Sequence, residues 1–132
     1  MTALAKDRNT PQIAGERFTY PVKGGEWIHA GALVFLDSGV VVPGSETASL
    51  VFPCRAENSA DNRNGGDGDL NISVTRGAFG FANDGAVTAA HVGTAAYAAD
   101  DQTVSADDNA GARPRAGIIV RVENQVFVDV RL

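Results

Sequence analysis

The sequence predicts an all-β protein: a small single-domain β-barrel or sandwich over residues 18–132, preceded by an extended N-terminal arm over residues 1–17, with at most one short helical turn. Three observations carry this expectation. From Phe18 onward, short β-rich runs recur between Gly, Asn, Asp and Pro punctuation, the pattern of many strands joined by tight turns. Fifteen glycines against a single methionine suit turns that need positive φ and do not suit long helices. Strict alternation of apolar and polar residues marks at least one strand as half-buried.

The arm is polar, carries Lys6, Asp7, Arg8 and Asn9, and runs into Thr10-Pro11, where the proline biases Thr10 away from helix. The expected strands then follow in order: Phe18 to Val22, Trp27 to His29, Leu33 to Leu36, Val40 to Val42 and Leu50 to Arg55. After a polar loop come Leu70 to Thr75, Ala78 to Phe81, a short Thr103-Val104 strand, Ala116 to Glu123 and Val126 to Leu132. In Leu70 to Thr75, Leu70, Ile72 and Val74 alternate with Asn71, Ser73 and Thr75, which sets one face inward and the other in water. Thr88 is placed to cap a single helical turn at Ala89-Ala90-His91, and the alanine-rich stretch up to Ala99 shows no helical periodicity.

The last two strands predict a register. With Glu123-Asn124-Gln125 as a three-residue loop, Val122 faces Val126, Val120 faces Val128 and Ile118 faces Val130. Ile119 then stands opposite Asp129, and Arg121 opposite Phe127, on the outer face. Two large apolar side chains on one outer face call for cover, by a neighbouring subunit or by the arm. Lys6, Arg8 and Asn9 of the arm, with Ile119, Arg121 and Phe127, are therefore the candidate interface residues.

A chain of 132 residues buries about two-thirds of the surface that its unfolded form exposes, enough to fold without a staple. The single cysteine, Cys54, excludes an internal disulfide and a multi-cysteine metal site, and is expected to be a buried, inert thiol in a protein assembled in a reducing cytoplasm. A net charge of -5 and a pI near 4.8 argue against a surface built to neutralise phosphates, so no direct nucleic-acid contact is expected. No run of about 18 apolar residues suggests a membrane partner, and Met1 to Arg8 lacks the order of a signal peptide. The expectation is a protein made and kept soluble.

No residue pattern assembles catalytic or cofactor chemistry. The loop from Asp61 through Asp69 is rich in carboxylates and amides, but Ile72 and Ala78 stand where a calcium loop needs Gly and a bidentate Glu. It reads as a solvated connection. Asp100-Asp101 and Asp107-Asp108 read as turn residues, because adjacent side chains in an extended segment point to opposite faces. His29 and His91 lack metal-ligand spacing, and no Gly-x-Ser-x-Gly elbow is present. Gly77 and Gly80 read as turn or bulge positions. Trp27 and Tyr97 read as core aromatics. The chain is expected to have no catalytic, cofactor or metal site and not to be an enzyme.

Taken in order, the chain's short motifs resemble the head decoration, or cement, proteins of Mu-like phages. The stretches that carry the resemblance are Ala5 to Thr10, Pro21 to Gly25, Ile28 to Val34, Val41-Val42-Pro43, Asp61-Asn62 before Gly68-Asp69, Arg76 to Phe79, Val92-Gly93, Asp100 to Val104 and Ala116-Gly117-Ile118. They run over nearly the full length. The resemblance implies a β-barrel-like virion structural protein, assembled in the host cytoplasm, that binds the outer capsid surface as a homotrimer at local three-fold positions. Its partners would be the major capsid protein and itself. The other role that suits a small β-fold is a displayed glycan- or receptor-binding module, with Trp27, Tyr97 and the 57–69 loop as its site.

Overall fold

The computed structural model describes Thr2, Ala3, Ala5, Lys6, Arg8 and residues 15–132. The chain is all-β, as its punctuation predicts, and it makes two barrels that share a wall. Twelve strands are present among the described residues: β1 (Arg17–Pro21), β2 (Trp27–Ile28), β3 (Leu33–Asp37), β4 (Val40–Pro43), β5 (Val51–Ala56), β6 (Ala60–Asp61), β7 (Asn71–Thr75), β8 (Ala78–Asn83), β9 (Ala95–Ala98), β10 (Thr103–Ser105), β11 (Arg115–Val122) and β12 (Val126–Asp129). The one helical element is a single 3-10 turn at Ala89–His91, directly after Thr88.

In the N-terminal half, five strands form a sheet in the order β1-β7-β5-β3-β4. Its two edges approach each other, because Val22 bridges Val41 in parallel and the Lys23 N–H donates to the Val41 carbonyl at 3.1 Å. The sheet is thereby rolled nearly shut. Strands β2 and β6 form a two-stranded ribbon beside it. The C-terminal half is a closed barrel in the order β10-β8-β12-β11-β9, sealed by a parallel pairing of β10 with β8.

Strand β3 explains why the halves cannot separate. Its sequence, Leu33-Val34-Phe35-Leu36, is continuously apolar, as expected of a strand covered on both faces. Leu33 and Phe35, with Val42 and Leu50, enter the core of the C-terminal barrel beside Phe81, Val104, Ile119 and Val128. Val34, with Val41, enters the N-terminal core beside Val22, Ile28, Ile72 and Val74. Each such buried side chain contributes about 1.5–3 kcal/mol of transfer free energy, so the β3–β4 hairpin is held from both sides. Arg76 adds a polar tie across the same junction, donating to the Pro53 carbonyl at 3.3 Å and the Val130 carbonyl at 2.7 Å.

The mouth of the N-terminal barrel is stopped by Phe18, Tyr20 and Phe52, whose rings lie 5.7–6.0 Å apart. Phe52 reaches this position through a bulge in β5 and a φ of 59°, a conformation disfavoured for a bulky L-residue. The Arg76 guanidinium lies 4.1 Å from its ring centroid. Directly beneath, Cys54 is 2 % exposed, and burial pushes its thiol up to about 12. The native protein is therefore expected to resist a thiol reagent such as dithiobis(nitrobenzoate) at neutral pH, and to react with one equivalent once unfolded. Rapid reaction in the native state would show that the plug opens.

Two strands carry no sequence signal of the usual kind. Ala95-Ala96-Tyr97-Ala98 is a strand with Ala96 and Ala98 fully buried. A five-stranded barrel has little interior volume, and the alanines make room for Ile119, Val126 and Val128. The Ala60–Asp61 strand is two residues long and exists only as the partner of Trp27–Ile28.

The terminal hairpin keeps its predicted loop and loses its predicted register. Val122 pairs with Val126 and Arg121 with Phe127, as the three-residue loop requires. A bulge at Val120 then shifts the ladder, so Ile119 pairs with Val128 and Ile118 with Asp129. A second bulge, at Ala116, separates the β9 pairs Arg115↔Tyr97 and Gly117↔Ala96. Two bulges in one strand supply the extra coiling that closes so small a barrel. Their consequence is that Ile119 is fully buried in the core, while Val120 is 41 % exposed.

Candidate interaction surfaces

The sequence-predicted interface residues do not form one surface. Lys6 and Arg8 are exposed, and Asn9 lies outside the described residues. Ile119 is withdrawn into the C-terminal core by the Val120 bulge, which corrects its predicted outer-face position. Arg121 remains outside and pairs with Glu123 at 3.6 Å. Phe127 is half-buried, because its Cα partner is Gly80 and its ring lies where a side chain on Gly80 would be: a Cβ there would stand 3.1 Å from the Phe127 ring. Gly80 is thus a regular ladder position and not a bulge, and its strand partner itself supplies part of the cover that Phe127 needs.

Trp27 is the second correction. It is 42 % exposed and not a core residue. The β2–β6 ribbon turns Ile28 and Ala60 into the N-terminal core and leaves Trp27 opposite Asp61 on the outside. Arg63 lies 3.9 Å from the indole centroid, and its guanidinium is fixed by two parallel 2.8 Å hydrogen bonds to the Asp61 carboxylate. Those bonds hold the Asp61 carboxyl below its usual range. His29 stands 4.6 Å from the same indole, centroid to centroid. Trp27 is the sole tryptophan, so its fluorescence reports on this cluster alone. Arg63→Ala is expected to redshift the emission by uncovering the indole, with little change in melting temperature because the Arg63–Asp61 pair is exposed. An unchanged spectrum would mean that Arg63 does not occupy the ring face in solution. Tyr97 lies on β9, in the other barrel, paired with Arg115 and Ser105.

The Asp- and Asn-rich loop is a clasp, more ordered than a solvated connection. Asn62 is 3 % exposed, and its Nδ2 donates to the carbonyls of Val22, Lys23 and Gly66 at 3.2, 3.2 and 3.0 Å. The Gly24 N–H donates to the Asp67 carboxylate, and the Gly66 N–H to that of Asp69, each at 2.8 Å. The loop oxygens are thereby aimed at backbone donors, and the described residues contain no cluster of metal-ligating side chains. The buried Asn62 is the residue that sequence reasoning missed. The Gly65-Gly66 pair after it is the one available signal, since a Cβ on Gly65 would lie 2.2 Å from Asn62 Oδ1.

The remaining polar candidates have local tasks. The Asp100 carboxylate accepts the N–H groups of Gln102 and Thr103, and that of Asp107 accepts the Asn109 N–H. Both are turns of the kind aspartate stabilises. His91 Nδ1 accepts the Thr88 N–H at 2.9 Å, closing the 3-10 turn. Glu57 is held below its usual pKa by hydrogen bonds from Arg55 and Thr75.

No protein-family model matches the chain, and neither a curated protein nor a solved structure matches it.

Proposed function

We propose that this protein is a capsid decoration protein, which binds the outer surface of a phage head as a trimer and reinforces it without catalysis of its own. The observation that carries the reading is the pairing of a doubly barrelled body, whose long sheet edges are rolled onto each other, with the head-to-tail order of decoration-protein motifs in the sequence. A cement protein present at high copy number must not polymerise edge to edge before it meets the shell, and closure removes that hazard. Its net charge of -5 favours solubility at high concentration. The exposed Lys6 and Arg8 are the arm residues offered to a neighbour, and many weak repeated contacts on a lattice sum to firm attachment.

The test is genetic and physical together. Purified particles of the parent phage should contain the chain, and particles from a deletion strain should lose resistance to heat or low salt. Particles that lack the protein, or that lose nothing on its deletion, would end the proposal.

The exposed Trp27 favours a second reading, a displayed glycan- or receptor-binding module, because the structure sets Trp27 beside Arg63 of the 57–69 loop. Tyr97, on the other barrel, is not part of that patch. Binding of the isolated protein on a glycan array, lost in Trp27→Ala, is the result this reading expects; a cement protein binds capsids only.

A further inference from the structure

One edge of β8 is used at both ends and open in the middle. In a strand, the N–H and C=O of one residue point to the same edge, and successive residues alternate. The Val130 N–H donates to the Gly77 carbonyl, and the pairs Phe79↔Val128 and Phe81↔Val126 continue that side toward β12. Ala78, Gly80 and Ala82 therefore point the other way. On that side the Arg76 N–H donates to the Glu16 carbonyl at 2.7 Å, and the Ala82 N–H to the Gln102 carbonyl at 2.8 Å, where β10 begins. Between these two bonds, no strand among the described residues pairs with Ala78 or Gly80 on that edge. The gap is about 13 Å, four residues of strand.

The open edge faces a groove between the two barrels. One lobe, of about 510 Å³, is lined by Gly31, Gly80, Asn83, Gln102, Asn124 and Gln125, among others. A second, of about 410 Å³, shares Gly31 and Gln102 and continues to His29 and Asp101. Asp101 is the one charged residue in the lining, and Lys and Arg are absent from it. Carboxamides both donate and accept, as a peptide backbone does. Glycine at positions 31 and 80 permits close approach of another main chain. A gap this short, recessed between barrels, admits a single strand and excludes a second sheet.

We propose that this edge of β8 receives an extended peptide segment by strand addition, with a Lys or Arg of that segment at Asp101. The partner follows from the decoration reading, which supplies the shell protein as the source of the segment. Amide hydrogen exchange of the full-length protein, free and bound to capsids, tests it. The expected result is that Ala78 and Gly80 exchange rapidly in the free protein and slow by about 100-fold or more on particles, while Phe79 and Phe81 are equally protected in both. Asp101→Lys, at a half-exposed position, should weaken capsid affinity by about ten-fold.

Capsid-bound protein with an unprotected Gly80 overturns strand addition and leaves the decoration role standing. Gly80 already protected in the free protein overturns it also, since the edge is then filled by the chain itself. Unchanged affinity of Asp101→Lys overturns the cation-bearing segment. Failure of the wild-type protein to bind capsids overturns the decoration reading and the partner together.

Discussion

Asn62→Asp is expected to cost at least about 3–5 kcal/mol, enough to leave much of the protein unfolded near neutral pH if its stability is that of an ordinary small domain. The Asn62 carboxamide nitrogen sits among three main-chain carbonyls, at 3.0–3.2 Å from each, in a site that is 3 % exposed. A carboxylate there is acceptor-only, so three acceptors would lose their donor and a buried charge would face their oxygens. The new carboxyl would have a raised pKa for the same reason. Its folded-state penalty is then largest above that pKa and shrinks as pH falls and the group regains a proton to donate. Urea midpoints of N62D measured from pH 7 down to pH 4 should approach those of the wild type. Asn62→Ala removes the donor without adding charge and should cost about 2–3 kcal/mol with no such pH dependence. Equal losses in both variants at all pH values would show that the carbonyl cage is not what holds the loop.

Gly117→Ala is expected to destabilise by at least about 3 kcal/mol. Gly117 follows the Ala116 bulge in β11 with a φ of 144°, which L-residues rarely adopt. A Cβ at this position would lie 2.2 Å from the Asp129 carbonyl oxygen and 2.9 Å from Val130 Cα. Those atoms are backbone of the segment beside it, so relief requires the β11–β12 ladder to part. Gly93 is the control: its φ is 91°, but a Cβ there meets nothing within 4 Å. Gly93→Ala should therefore cost only its conformational strain, about 1–2 kcal/mol. Similar urea midpoints for the two variants would remove the crowding argument.

The strands that the sequence made legible are those with their own apolar or β-branched runs. Leu33–Asp37 and Asn71–Thr75 fall where the pattern places them, though Leu70, read as the first inward residue of its strand, is 40 % exposed. Ala95–Ala98 was not legible, because its signal is a lack of volume that matters only once four other strands surround it. The Val120 bulge is of the same kind. Alternation alone puts Ile119 outside, and only the closure of the barrel puts it inside. Trp27 and Asn62 were inverted for a different reason. A two-residue ribbon left the largest aromatic on the surface, and the clasp drew the amide in. Arg63 and Asp61 compensate for the first, and three carbonyls for the second.

Co-sedimentation of the full-length protein with capsids assembled without it, from the shell protein encoded in the same genome, tests the decoration role most directly. The account predicts saturable binding with three copies per local three-fold position and a higher melting temperature for the decorated shells. Protein that stays in the supernatant at every concentration, with shells melting as before, would contradict it.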